Sequence, residues 1–170
     1  MVDSGEIPPR ILVAGIGNRL LADDGFGPRV VDLLSEKELP DVVDVRDFGT
    51  AGMTIATDLA DYDAVIFIDS MDHEENPGSL YESSITVEEG FEDVAEIARL
   101  TLHEVGLEGL LRFSKAIGTL PADIYLIGCK PRTLEPSLEL STEVEAALEG
   151  AVAIVEEILK KILLKKGWGD

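Results

Sequence analysis

Apolar residues gather along this chain in short continuous runs set between longer mixed stretches. Ile11–Ile16 is entered from Pro8-Pro9 and closed by glycines, a pattern that predicts a buried strand. Gly27-Pro28 then marks a helix start, with proline suited to the first turn. Val30, Val31, Leu33 and Leu34 give that helix about three turns. Val42–Phe48 alternates apolar and polar residues, as a second strand would. Ala64–Asp69 is a continuous apolar run ending in a carboxylate, which predicts a strand covered on both faces. Asn76-Pro77-Gly78 is a turn, Ser79–Ile85 a shorter strand, and Ile124–Cys129 the last one.

Two helix starts carry capping-box spacing, Thr101 with Glu104 and Thr142 with Glu145. The final helix, about 142–164, places Val144, Leu148, Val152, Val155, Leu159 and Ile162 on one stripe. Lys160, Lys161, Lys165 and Lys166 in its last turns suit the negative end of the helix dipole, and Gly167 follows. Strands alternating with helices, the strands nearly continuous in apolar residues, predict a mostly parallel α/β sheet covered on both sides.

Composition narrows the picture. A chain of 170 residues, 45% apolar, suits one domain over residues 1–170, with residues 1–9 and 165–170 expected as flexible ends. No apolar stretch approaches the length of a membrane span. The first residues lack the basic and apolar segments of a secretory signal, so a cytoplasmic protein is expected. The single Cys129 excludes an internal disulfide and a multi-cysteine zinc site. A formal charge of −20 argues against nucleic acid, which is bound by neutralising phosphates with Lys and Arg. The acidity serves solubility or a basic partner.

Functional groups of open α/β sheets gather beyond the carboxyl ends of the strands. Gly15-x-Gly17 there invites a dinucleotide-binding reading. Leu20, however, stands at the third glycine of that motif, and two acidic residues follow where a pyrophosphate would need positive charge. Asp23 and Asp24 before Gly25 suit turn and capping duties as well as chemistry. Asp69, ending a buried strand, must be hydrogen-bonded, exposed at the sheet edge or paired with a cation. His103 lies two residues beyond Thr101, where the positive helix end keeps its ring neutral and available as a ligand. With Leu107 and Leu110 on the same stripe, a satisfied core histidine fits it equally well. His73 falls in a polar loop expected to be solvated, although Asp69, Asp72 and His73 form a rival metal cluster. Two carboxylates with one imidazole suit a borderline transition metal with open positions. Neither the Gly-x-Ser-x-Gly elbow nor the His-Glu-x-x-His helix is present.

Read together, these segments resemble the hydrogenase maturation endopeptidases. Gly15-Ile16-Gly17-Asn18, Leu20-Leu21, Asp23-Asp24-Gly25 and Gly27 resemble that family's opening signature. Gly49-Thr50-Ala51-Gly52-Met53, Asp69, Pro77-Gly78 and His103 with Gly106-Leu107 follow in order. Gly128-Cys129-Lys130-Pro131, Leu134-Glu135-Pro136 and Leu140-Ser141 resemble its closing block, with Glu139 where the family usually has glycine. The resemblance spans about residues 10–160. It implies a three-layer α/β/α fold around a five-stranded, mostly parallel sheet with one antiparallel strand. It also implies an endopeptidase, of aspartyl or nickel-dependent type, that cuts a C-terminal extension from the precursor of a nickel–iron hydrogenase large subunit. Asp24, Asp69 and His103 correspond to the residues thought to recognise nickel, with Asp24 and Asp69 as the catalytic carboxylates. The nickel is expected to arrive with the precursor rather than to be held tightly by the free enzyme. A nickel-reading chaperone that binds the precursor without cutting, and a nucleotide-binding module, are the competing readings.

Overall fold

The computed structural model of the chain describes residues 7–51, 54–86 and 107–168. Five strands form one sheet in the order β2-β1-β3-β5-β4. They are β1 (Ile11–Ile16), β2 (Val43–Gly49), β3 (Ala64–Ser70), β4 (Leu80–Thr86) and β5 (Asp123–Cys129). The pairs β1–β2, β1–β3 and β3–β5 run parallel, and β4 lies antiparallel along β5 as an edge strand. The described helices are α1 (Phe26–Ser35), α2 (Ile55–Asp58), α3 (Leu107–Ile117) and α4 (Thr142–Lys165). Both the mixed sheet and its single antiparallel strand agree with the expected architecture.

Strand alternation divides the core into two layers. Ile11 and Val13 of β1, with Ile66 and Ile68 of β3, pack beneath α1 and α4. Leu12, Ala14, Val65 and Phe67 face the opposite way, against Ile55 of α2 and Leu107, Leu110 and Leu111 of α3. Every residue of β1 and β3 is therefore buried, which is why these runs carry no polar alternation. Asp123, at the start of β5, is tied to Lys165 at 2.8 Å, anchoring the end of α4.

Two details differ from the sequence reading. Helix α2 is only four residues long and continues into a 3-10 turn at Leu59–Asp61, too short to produce a helical repeat. The N-cap of α4 is Ser141 rather than Thr142; its side chain accepts from the Val144 N–H. Thr142 is thus already the first helical residue, and the Thr142–Glu145 spacing is not a capping box. The other expected cap, Thr101, lies outside the described residues.

Candidate functional site

The site is built where the β1–α1 connection folds back over the carboxyl end of the sheet. Gly17 has φ +142°, and a Cβ placed on it would lie 1.9 Å from the Asp24 carbonyl oxygen. Only glycine lets the returning turn lie this close. A Cβ on Gly27 would lie 2.3 Å from the Ile68 carbonyl oxygen and 2.5 Å from that of Ile16. The start of α1 is therefore seated directly on β1 and β3. These glycines pack the chain against itself, and the Asp24 carbonyl fills the space beside Gly17 that the dinucleotide reading would leave for phosphate.

Between these glycines, Ala22–Gly25 forms one 3-10 turn. Ala22 enters it at φ +45°, a left-handed conformation costing about 1 kcal/mol for an L-residue. Lacing to the 133–141 segment offsets that cost. Ala22 N–H donates to the Ser137 carbonyl, Asp23 N–H to that of Thr133, and Ser137 N–H to that of Leu20.

The turn sends its two aspartates to different partners. Asp23, 1% exposed, accepts from Arg132 N–H at 2.8 Å, Thr133 N–H at 3.1 Å, Ser141 N–H at 2.7 Å and Ser141 Oγ at 2.9 Å. It is the clamp that closes the 132–141 segment onto the site and fixes the cap of α4. Asp24, also 1% exposed, turns toward the sheet. Its Oδ2 accepts from Asn18 N–H at 2.8 Å and its Oδ1 from Ser70 Oγ at 2.8 Å. Asp69, the residue before Ser70 in β3, is fully buried. Alternation in β3 puts Asp69 on the side of Phe67, the layer that also holds Leu107 of α3.

Arg19 locks the outer side of the turn, with Nη1 and Nη2 on Asp32 at 2.6 and 2.7 Å and Nη2 on Asp47 at 2.9 Å. The Asp32 hydrogen bonds, followed by those of Asp47, push the guanidinium above its ordinary value. Arg19 in turn holds the Asp32 carboxyl below its own. Burial, with Asp23 adding to it, pushes the Cys129 thiol up to about 12.

Of the expected trio, Asp24 and Asp69 stand at the carboxyl end of the sheet, and His103 lies outside the described residues. The rival trio does not assemble. Asp72 is paired with Lys130, and His73 Nε2 lies 3.3 Å from the Ser79 carbonyl oxygen. Glu75 N–H is 3.4 Å from His73 Nδ1, so the tautomer protonated on Nε2 satisfies both contacts. The His73 ring is half-buried beside Tyr81 rather than solvated, because the Pro77-Gly78 turn brings Ser79 back beneath it. No group of three or more metal-ligating side chains is assembled among the described residues. Glu139 is exposed and does not take a positive φ, so its backbone has no need of the family's glycine. Sequence reasoning missed Ser70 and Ser141. Ser70 had a usable signal, since it follows Asp69 at the same strand end, and Ser141 had one in the closing block.

Comparisons with known proteins converge on one family. The family model described as hydrogenase maturation protease matches residues 28–158. The hydrogenase 2 maturation protease of Escherichia coli (strain K12) is 34% identical over 154 residues, covering 89% of this chain and 92% of that protein. Among solved structures, the hydrogenase 2 maturation peptidase from Thaumarchaeota archaeon SCGC_AB-539-E09 shares 63% identity at a TM-score of 0.71, covering 88% of this chain and 97% of its own. The E. coli hydrogenase maturating endopeptidase HybD superposes with a TM-score of 0.77 at 33% identity, covering 93% and 94%.

Proposed function

Because the chain belongs to the hydrogenase maturation protease family, and is thereby a hydrolytic endopeptidase, we propose that it removes a C-terminal extension from the precursor of a nickel–iron hydrogenase large subunit once nickel has been inserted. One observation carries this reading: Asp24 and Asp69 are both buried at the carboxyl end of the sheet, Asp24 fixed by a hydrogen bond from the residue that follows Asp69.

In this reading Asp24, Asp69 and His103 face the nickel that the precursor carries. Two carboxylates and an imidazole form a donor set suited to a borderline metal that already has ligands of its own. The metal belongs to the substrate. It polarises the scissile carbonyl or holds the peptide in register, while a carboxylate takes the proton of the attacking water. The description of the family and its relatives as proteases and endopeptidases favours cutting over a chaperone that only binds.

The test is intact-mass analysis of purified precursor incubated with the protein, once loaded with nickel and once without it. Loss of a C-terminal segment from the nickel-loaded form alone is expected. Equal trimming of both forms would remove nickel from the account, and trimming of neither would overturn the function.

A further inference from the structure

We infer that Ser70 is a positioning residue that holds the Asp24 carboxylate ready for its ligand. The inference rests on the reading of Asp24 as a nickel-facing group. Ser70 is fully buried at the end of β3, and its hydroxyl reaches across 46 residues of sequence to Asp24 Oδ1 at 2.8 Å. The other carboxylate oxygen takes the Asn18 N–H, also at 2.8 Å. The terminal torsion of an aspartate is intrinsically soft, with broad and roughly two-fold preferences. A donor on each oxygen pins that torsion. The donors come from the two ends of the site, Asn18 from the β1–α1 loop and Ser70 from the strand that also carries Asp69. Ser70 therefore fixes where Asp24 stands relative to Asp69.

Losing the hydroxyl removes the Ser70 donor from Oδ1 while the Asn18 N–H on Oδ2 stays. Groups that orient a metal-facing carboxylate from behind typically change metal affinity or activity by about 10- to 100-fold when removed. Nothing in Ser70 itself need touch the metal or the peptide.

Four purified proteins decide the matter: wild type, Ser70→Ala, Ser70→Thr and Asp24→Asn. Each is measured at a temperature where circular dichroism shows all four folded. The readouts are affinity for Ni2+ added alone, taken by chelator competition, and kcat and KM for trimming nickel-loaded precursor. Ser70→Ala is expected to bind Ni2+ about tenfold more weakly and to lose about tenfold in kcat. Its KM should stay close to that of wild type, because the fully buried Ser70 acts through Asp24 rather than on the precursor. Ser70→Thr, which keeps the hydroxyl, should restore both values. A purely structural serine would lower the melting temperature of the alanine variant and leave both readouts unchanged. Ser70→Ala matching wild type, or Ser70→Thr failing alongside it, overturns the positioning role. Asp24→Asn that still binds and trims as wild type overturns the underlying reading of the site instead.

Discussion

Asp44 and Asp123, at the amino end of the sheet, are held differently from Asp23 and Asp24 at its carboxyl end. At the amino end, these two aspartates are paired with cations. Asp44 accepts from Arg10 Nη2 at 3.0 Å and from the Tyr62 hydroxyl at 2.7 Å. Asp123 meets Lys165 at 2.8 Å and Lys166 at 3.9 Å. At the carboxyl end, Asp23 and Asp24 are gripped by backbone N–H groups and by the hydroxyls of Ser141 and Ser70. A cation cancels a carboxylate's charge, whereas N–H and O–H dipoles fix its position and leave the charge in place. The amino end is built for anchoring strands and helix termini. The carboxyl end fixes Asp23 and Asp24 in place, and in the proposed function Asp24 meets the metal there.

The largest effects should fall on the groups proposed to face the substrate. Asp69→Asn and His103→Ala are each expected to slow trimming of nickel-loaded precursor by at least about 100-fold, the loss of one electrostatic group at a reacting centre. Their melting curves should stay near wild type. His73→Ala should trim at nearly the wild-type rate, since its ring is occupied by Ser79 and Glu75. An inactive His73→Ala beside an active His103→Ala would move the site into the 72–76 loop.

Asp23→Ala comes next, and it acts through folding. Four hydrogen bonds to a buried carboxylate are lost, and the 132–141 segment keeps only its backbone lacing to residues 20–23 as a hold on the turn. A loss of about 3 kcal/mol is expected, lowering the melting temperature by roughly 6–12 °C in a domain of this size. Thermal denaturation with no measurable drop would show that the clamp is idle.

At the amino end the same kind of change should do less. Lys165→Ala removes one partner of Asp123 while Lys166 remains nearby, so a loss of about 1 kcal/mol and no change in trimming rate are expected. A slowed cleavage by this variant would break the division between the two ends. Smallest of all, Ser114 has a fully buried Oγ with no hydrogen-bond partner among the described residues. Ser114→Ala should be neutral or stabilising by about 1 kcal/mol in chemical denaturation, and marked destabilisation would contradict that burial.

Much of the fold was legible because burial on both faces leaves an unbroken apolar signature. Ile11–Ile16 and Ala64–Asp69 could be bounded from sequence to within one residue. Helix α2 was not, since four residues cannot show a repeat. The site was legible in part. Strand ends and the family resemblance singled out Asp24 and Asp69, but adjacent aspartates in one turn look alike along the chain. What separates Asp23 from Asp24 is the left-handed Ala22 and contacts to residues 109 to 118 positions away. Neither leaves a local trace. The cap of α4 was misplaced by one residue for a related reason: Ser141 serves both the helix and Asp23, and only the second role sets its position.

The most direct test places one acid from each end in the same experiment. Asp24→Asn and Asp123→Asn, both folded by circular dichroism, are incubated with nickel-loaded precursor, and the mass of its C-terminus is followed over time. The account predicts that Asp123→Asn trims the precursor at the wild-type rate and that Asp24→Asn leaves it at full length. Trimming by Asp24→Asn at the wild-type rate would contradict it.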